Sequence, residues 1–135
     1  MRPTRSPAAL AAAFLLAVSA PFAQAQSWPA RTVKFIVGFP PGGSTDQVAR
    51  IIAAQLTTQL GQQFIVDNRP GASGAIAGAA VAKSPSDGHT LLYTNGSFAV
   101  MAPALIKTLP YDIQRDLVPV AQTAVGGVLL LVNPE

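Results

Sequence analysis

The segment FPPGGSTD, residues 39–46, has the residue types and the order of an anion-binding turn. A short apolar run precedes it, and two adjacent glycines lead into Ser44 and a helical pattern. A turn of this kind between a strand and a helix leaves several backbone N–H groups free, and these groups bind an anion without a charged side chain. We therefore predict that the N–H groups of Gly42, Gly43 and Ser44 form an anion site.

Three enzymatic loop motifs do not match this segment. A Walker A loop needs a lysine directly after its last glycine, where this chain has Ser44. A nucleophile elbow needs a glycine two residues after its serine, and Asp46 stands there instead. The G-x-G-x-x-G pattern of a dinucleotide-binding loop is also missing after the first apolar run. These differences argue against triphosphate, acyl-enzyme and dinucleotide chemistry.

An enzymatic alternative would depend on Ser44 and His89. Ser44 is followed three residues later by Gln47, which is the pattern of a capping box, so we interpret Ser44 as a helix cap. His89 is the single histidine and is interpreted as an exposed turn residue. A serine hydrolase would need both side chains within reach of an orienting carboxylate, such as Asp87 or Asp112. A third alternative is an exported interaction module that binds no small ligand.

The remaining candidate ligands are few. Asp46 falls in the first turn of the predicted helix, where the helix dipole favours a negative charge. Arg69 could face a carboxylate or lie exposed on its loop. The absence of cysteine excludes a disulfide framework and a thiolate metal site, and one histidine is too few for an ordinary zinc or copper site. We predict no metal and no cofactor.

Strands and helices alternate along the chain. Strands are predicted at residues 33–38, 64–66 and 90–94, and helices at 44–60, 75–83 and 98–107. The predicted buried stripe of the first helix consists of Val48, Ile51, Ile52, Leu56 and Leu60, with Gly61 as its C-terminal cap. We interpret Tyr93, Phe98 and Met101 as packing residues. The alternation predicts an α/β fold with a doubly wound, mostly parallel sheet.

Three loops rich in Gly, Pro, Ser and Asn follow the predicted strands. They are the first loop (residues 39–43), the second loop (68–74) and the third loop (95–97). In a parallel sheet the carboxyl ends of the strands meet at one edge, where ligands bind. We therefore predict that the three loops form one site at this edge.

The first 25 residues have the pattern of a secretory signal peptide. Two arginines precede an apolar run at residues 8–18, and a small-x-small site ends at Ala25, which predicts a mature chain from Gln26 in the periplasm. The run is broken at Ser19, short of the roughly 20 apolar residues of a membrane anchor. Without the signal, seven basic and six acidic residues remain, a formal net charge of +1. No basic cluster remains for nucleic acid.

The order and spacing of several motifs closely resemble the periplasmic solute receptors of tripartite tricarboxylate transporters, the Bug family. The motifs are VGFPPGGSTD at residues 37–46, AR at 49–50, LGQ at 60–62, NRPGA at 68–72, VAK at 81–83, DGHTLL at 87–92 and LPYD at 109–112. Ala77 stands where the family usually has glycine, and His89 replaces a common tyrosine. The resemblance covers essentially the whole mature chain.

The resemblance implies a type II periplasmic-binding-protein-like fold and a two-domain receptor without enzymatic activity. Such a receptor captures a small carboxylate (a di- or tricarboxylate, an amino acid or an aromatic acid) through backbone groups and water, and delivers it to membrane transporter subunits. By position, the implied ligand-binding residues are Phe39, Gly42, Gly43, Ser44 and Asp46 in and after the first loop, and Ala72, Ser73 and Gly74 in the second.

The resemblance also implies that this chain is the N-terminal portion of such a receptor. Residues 26–125 would form an incomplete first domain, and residues 126–135, with a predicted strand at 128–132, would begin the crossover to a second domain. The second half of the cleft would then be missing from this chain.

Overall fold

The computed structural model describes residues 27–126, with only the backbone described at residues 99 and 100. The elements in chain order are β1 (Val33–Val37), α1 (Ser44–Leu60), β2 (Phe64–Asn68), a 3-10 turn (Ala72–Gly74), α2 (Ala75–Ala82), β3 (Thr90–Tyr93), α3 (Gly96–Leu105) and α4 (Ile113–Asp116). The predicted signal peptide, the cleavage site and the predicted strand at 128–132 lie outside the described residues. Within residues 27–126, none of the helices has both the length and the apolar character needed to span a lipid bilayer.

The three strands form one parallel sheet with β1 at its centre. The order is β2-β1-β3. Val33 pairs with Phe64 of β2, and Phe35 pairs with Leu91 of β3. This arrangement confirms the predicted parallel neighbours. β2 extends two residues beyond its predicted end because Asp67 and Asn68 still pair with β1, so backbone pairing and not apolar composition decides where the strand stops.

Helices cover both faces of the sheet. On one face, a core cluster of Val33, Phe35, Ala53 and Phe64 joins the strands to α1. Leu91 packs against this cluster, whereas the next residue, Leu92, packs against a second cluster of Phe98, Ala102 and Tyr111. Successive strand residues point to opposite faces. The sheet is therefore doubly wound, as predicted.

The buried face of α1 differs from the predicted stripe. Ile51 is 64% exposed and Leu60 is 40% exposed, so their predicted burial was wrong. The most buried apolar residues are Ala49 and Ala53, while Val48, Ile52 and Leu56 are half-buried. Small side chains let a helix lie close to a sheet, and the larger residues then occupy the margins of the contact. Gly61 ends the helix as predicted, with a φ of 67° and its N–H donating to the Thr57 carbonyl.

The two neighbouring isoleucines of α1 provide a stability test of this corrected face. We expect Ile52→Ala to lower the free energy of unfolding by about 1 to 2 kcal/mol because Ile52 packs against the first cluster without being fully buried. Ile51→Ala should change it by less than about 0.5 kcal/mol, since most of that side chain faces solvent. Urea unfolding of the two variants checks the order, and an equal or larger loss for Ile51→Ala would contradict this helix orientation.

The aromatic residues pack mainly as predicted. The ring of Phe35 lies 5.7 Å from that of Phe64, edge to face, and 5.7 Å from that of Tyr93, stacked. Phe98 is buried in the second cluster. Met101 is 47% exposed, so its interpretation as a packing residue was wrong. Helix α3 also begins at Gly96, earlier than predicted, because the turn closed by the Phe98 N–H and the Asn95 carbonyl already belongs to it.

Candidate ligand-binding edge

The parallel sheet brings the first, second and third loops to its carboxyl edge. Each strand runs directly into one of them, and α1, the 3-10 turn with α2, and α3 begin at the same edge. A helix N-terminus carries unsatisfied N–H groups and a partial positive charge. Three such ends therefore share one edge of the molecule, and the electrostatics there favour an anion.

The start of α1 is organised differently from the predicted capping box. Gly43 occupies the N-cap position without a side-chain cap, and its carbonyl accepts the first helical bond from the Gln47 N–H. The Gln47 amide donates to the Gly42 carbonyl at 3.0 Å instead of accepting a bond. The interpretation of Ser44 as the cap was therefore wrong. Ser44 is exposed, and the N–H groups of the first helical turn have no helical acceptor.

Asp46 ties the first loop to α1 and to β2. Its Oδ2 accepts from the Gly42 N–H at 2.9 Å and from the Arg50 Nε at 3.0 Å. Its Oδ1 accepts from the Asn68 Nδ2 at 2.9 Å. The residue is only 2% exposed, so it is a buried member of a network and not a solvent-facing residue of the helix start.

Asn68 connects Asp46, Arg50 and the first loop through its side-chain amide. The Asn68 amide nitrogen also donates to the Phe39 carbonyl at 3.1 Å, and its oxygen accepts from the Arg50 Nη2 at 3.0 Å. The Arg50 guanidinium, the Gly42 N–H and the Asn68 amide together lower the pKa of Asp46 to about 2. Asp46 is thus ionised throughout the physiological range, and its charge is neutralised locally by Arg50.

The second loop has an unusual backbone. Four successive residues have positive φ angles: Gly71 (132°), Ala72 (47°), Ser73 (52°) and Gly74 (90°). Residues with a Cβ atom adopt this region at a cost of about 1 to 2 kcal/mol, and such strain clusters at functional sites. Ala72 and Ser73 are exposed at the carboxyl edge. This strained backbone was not predicted from the sequence, although Gly71 and Gly74 on either side of the pair were a signal for it.

The second loop lies against the carboxyl end of β1, directly before the first loop. A Cβ atom on Gly38 would lie 2.8 Å from the Cα of Gly74. Gly74 is itself buried, and a Cβ there would lie 3.0 Å from the Phe98 ring. The Arg69 N–H also donates to the Val37 carbonyl at 2.7 Å. Gly38 and Gly74 thus allow the second loop to lie closer to the end of β1 than residues with a Cβ atom would permit.

The structure does not bring the proposed hydrolase residues together. The His89 carbonyl accepts from the Lys34 N–H, which places His89 at the amino end of β1, while Ser44 follows its carboxyl end. At about 3.3 Å per strand residue, the two are separated by roughly 10 Å or more. The serine hydrolase alternative is therefore wrong for this fold. Asp112 instead caps α4, accepting from the Gln114 and Arg115 N–H groups.

His89 is buried and not the predicted exposed turn residue. It is only 8% exposed. Its Nδ1 lies 3.0 Å from the Asp87 carbonyl, and its backbone N–H donates to the Asp87 carboxylate at 3.0 Å. Arg31 donates to the same carboxylate at 2.7 Å. These contacts, with the His89 N–H as the main cause, lower the pKa of Asp87. Arg31 and Trp28, which precede β1, are thereby held against Asp87 and His89 at the amino edge of the sheet.

Two further observations limit the chemistry of the described part of the chain. The Arg69 guanidinium pairs at 2.9 Å with the carboxylate of Asp67, which lies near the end of β2. Among residues 27–126, no group of three or more His, Cys, Asp or Glu side chains comes together in a way that could hold a metal ion. At the carboxyl edge, the Arg50 and Arg69 guanidinium groups are each paired with a carboxylate, and the backbone N–H groups of the first turn of α1 have no helical acceptor.

Comparison with known families identifies the chain. Residues 48–135 match the model of the tripartite tricarboxylate transporter family receptor, TctC. The chain belongs to the TctC receptor family. Members of this family are periplasmic solute-binding receptors of transporters and not enzymes, and the α/β fold described above is part of the type II periplasmic-binding-protein fold.

The similarity to individual TctC relatives is high but covers only part of their length. The chain is 51% identical over 112 residues to a UPF0065 protein of Bordetella bronchiseptica, which covers 83% of this chain and 33% of the relative. It is 44% identical over 112 residues to protein BugT of Bordetella pertussis, covering 82% and 34%. The chain thus spans about a third of the length of the curated relatives that it matches.

Two solved structures share the fold. One is MatC from Rhodopseudomonas palustris with bound malate, at 41% identity and a TM-score of 0.66, covering 71% of this chain and 33% of MatC. The other is described as a periplasmic transporter, at 40% identity and a TM-score of 0.61, covering 64% and 29%. Both structures are similar to this chain in sequence as well as in backbone shape, which supports the TctC fold described here.

Proposed function

We propose that this TctC chain forms one side of a periplasmic receptor that captures a small carboxylate for the membrane subunits of a tripartite tricarboxylate transporter. The observation that carries the proposal is the convergence of three helix N-termini and the strained second loop at one edge. The similarity to MatC, which holds malate, supports a dicarboxylate as the first ligand to test.

Backbone N–H groups would provide most of the recognition. The first turn of α1 offers the free N–H groups from Gly43 to Asp46. The ligand-facing residues that we propose are Phe39, Gly43, Ser44, Ala72 and Ser73. The Gly42 N–H, which was predicted to bind the anion, donates to Asp46 instead, and the buried Gly74 donates its N–H to the Gly71 carbonyl. Gly42, Gly74 and Asp46 therefore lie behind the two loops. Water would complete the contacts where the ligand is too short to reach both loops.

One side of a cleft is expected to bind weakly. Charge at an exposed helix N-terminus contributes about 0.3 to 1 kcal/mol, whereas micromolar affinity requires about 8 kcal/mol. Because the matched relatives are about three times longer, we propose that a second domain closes over the ligand and supplies the remaining interactions. Residues 126–135 would begin the crossover to that domain.

A malate titration followed by NMR tests the proposal. We expect malate to shift the amide signals of the first, second and third loops in the 15N-labelled chain, with a dissociation constant of about 1 mM or weaker. The neutral diamide of malate is the matched control and should shift them far less, because it has no charge for the helix dipoles. Shifts confined to the amino edge, or none at roughly 50 mM malate, would contradict the proposed site.

Calorimetry tests the need for a second domain. Residues 26–135 should give no micromolar binding. Joining them to the part of MatC beyond the third that this chain covers should tighten malate binding by about 100-fold or more, if that part closes over the ligand and excludes water from the anion. Micromolar affinity of the short chain for malate would show that a second domain is unnecessary for binding.

The chain is proposed to act in the periplasm after removal of its first 25 residues. The basic n-region, the apolar run and the Ala25 cleavage site predict a mature N-terminus at Gln26. Peptide mass spectrometry of the protein purified from the cell envelope should find an N-terminal peptide that begins Gln-Ser-Trp, with the glutamine free or cyclised to pyroglutamate. An intact N-terminal methionine on a cytoplasmic product would contradict this prediction.

A further inference from the structure

We propose that Asp46 is a positioning residue, which together with Arg50 and Asn68 holds the first and second loops in their binding geometry without touching the ligand. This inference rests on the proposed function of the carboxyl edge. It assigns to Asp46 a role that differs from a ligand contact, and it makes the affinity of the site depend on residues behind the loops.

The acceptor capacity of Asp46 is used within the protein. Both carboxylate oxygens accept hydrogen bonds, two on Oδ2 and one on Oδ1, and the side chain is only 3% exposed. An anionic ligand would be repelled by an ionised carboxylate at contact distance. Arg50 neutralises this charge, so that the free N–H groups in front of Asp46 can still attract an anion.

The network acts on the residues that precede the free N–H groups. Gly42 has a φ of 84°, and its N–H is directed to Asp46. This bond anchors the loop immediately before Gly43 and Ser44, whose N–H groups are proposed to face the ligand. Without the carboxylate, Gly42 would lose the acceptor that holds this left-handed turn in place.

Asn68 extends the same control to the second loop. Its side chain is bonded to the Phe39 carbonyl of the first loop, to Asp46 and to Arg50. It is the last residue of β2 and the first residue of the second loop. One cluster therefore fixes the spacing between the loops, and a change in it should move both together.

Asp87, at the opposite edge of the sheet, is a control with the same kinds of donor as Asp46, although its side chain is 42% exposed and that of Asp46 is 3% exposed. Asp87 also accepts from a backbone N–H, that of His89, and from a guanidinium, that of Arg31. Asp46→Asn removes the ion pair with Arg50 beneath the proposed site. Asp87→Asn removes the ion pair with Arg31 at the opposite edge. Arg50→Gln is the second test variant, because it removes the cation beside Asp46 and keeps the carboxylate that accepts from Gly42 and Asn68.

The experiment combines a ligand-free readout with malate binding in the 135-residue chain. In the wild type the Gly42 amide shift should titrate with a midpoint near pH 2, following the ionisation of Asp46. Asp46→Asn should abolish this titration, shift the amides of both loops and weaken malate binding by about tenfold, the size expected for a lost charged hydrogen bond. Arg50→Gln should move the Gly42 midpoint upward and weaken malate binding in the same direction. Asp87→Asn should leave the amide signals of the loops unchanged. It should also leave the dissociation constant for malate within about twofold of the wild-type value.

The outcomes separate the two proposals. If malate shifts no amide signals of the wild-type chain, the proposed function fails. The positioning role is still tested in that case, because the amide shifts of the loops are compared between variants without malate. Unchanged loop amides in folded Asp46→Asn or Arg50→Gln would overturn it. Equal losses of malate affinity in Asp46→Asn and Asp87→Asn would also overturn it, because they would indicate a general effect on stability.

Discussion

Phe35→Ala should lower the free energy of unfolding by about 3 to 5 kcal/mol, the largest stability effect that we expect for a single substitution in this chain. Phe35 lies in the central strand and is 4% exposed. Its ring contacts the rings of Phe64 and Tyr93, so truncation removes contacts to both neighbouring strands at once. A loss of this size is a large part of the roughly 5 to 15 kcal/mol that stabilises an ordinary domain.

Urea unfolding monitored by circular dichroism measures the effect of Phe35→Ala. Val120→Ala is the control, because Val120 is 81% exposed and its truncation should change the free energy of unfolding by less than about 0.5 kcal/mol. A cost for Phe35→Ala of under about 1 kcal/mol would mean that this ring is not at the centre of the core.

Gly38→Ala should displace the second loop from the end of β1, at the point where the first loop begins. The added Cβ would lie 2.8 Å from the Cα of Gly74 and 3.3 Å from the Cβ of Ala77. Backbone atoms cannot move aside as a flexible side chain can, so the second loop must shift. We expect a loss of about 1 to 3 kcal/mol in the free energy of unfolding, the usual cost of overpacking. We also expect weaker malate binding, because both loops contribute N–H groups to the proposed site.

Gly96→Ala is the matched control for Gly38→Ala. Gly96 also follows a strand at the carboxyl edge, but a Cβ there would meet nothing within 4 Å, and its φ is not in the left-handed region. Alanine at this position should leave the stability unchanged or raise it by up to about 1 kcal/mol, since it restricts the unfolded chain. If Gly38→Ala behaved like Gly96→Ala in unfolding and in the loop amide shifts, the close approach of the second loop to the end of β1 would be wrong.

The architecture could be predicted because it depends on short-range patterns. Apolar runs separated by turn residues indicated three strands, and the spacing between them required helical crossovers, which predicted the parallel order that the structure shows. The glycine-rich loops were then placed at one edge by the topology alone. The resemblance in motif order added the family, which the comparison confirmed.

The interior contacts could not be predicted in the same way because their partners come from distant parts of the chain. Periodicity favoured Ile51 as a buried residue of α1, but the sheet meets this helix through Ala49 and Ala53, and periodicity does not rank a small side chain above a large one. The extent of burial depends on the distance between two packed elements, which no single segment determines.

The sequence by itself determined the order of the elements, the parallel sheet and the edge at which the loops meet, since these follow from local propensity and chain connectivity. The tertiary structure decided the roles of the polar residues. Asp46 became a buried network residue because Asn68, 22 positions later, lies beside it. His89 is buried, and the Trp28 ring from the start of the described chain lies 6.2 Å from its ring. Burial of a polar side chain costs free energy that its hydrogen bonds and the packing around it must offset, and for both residues that surrounding is built by segments distant in the chain.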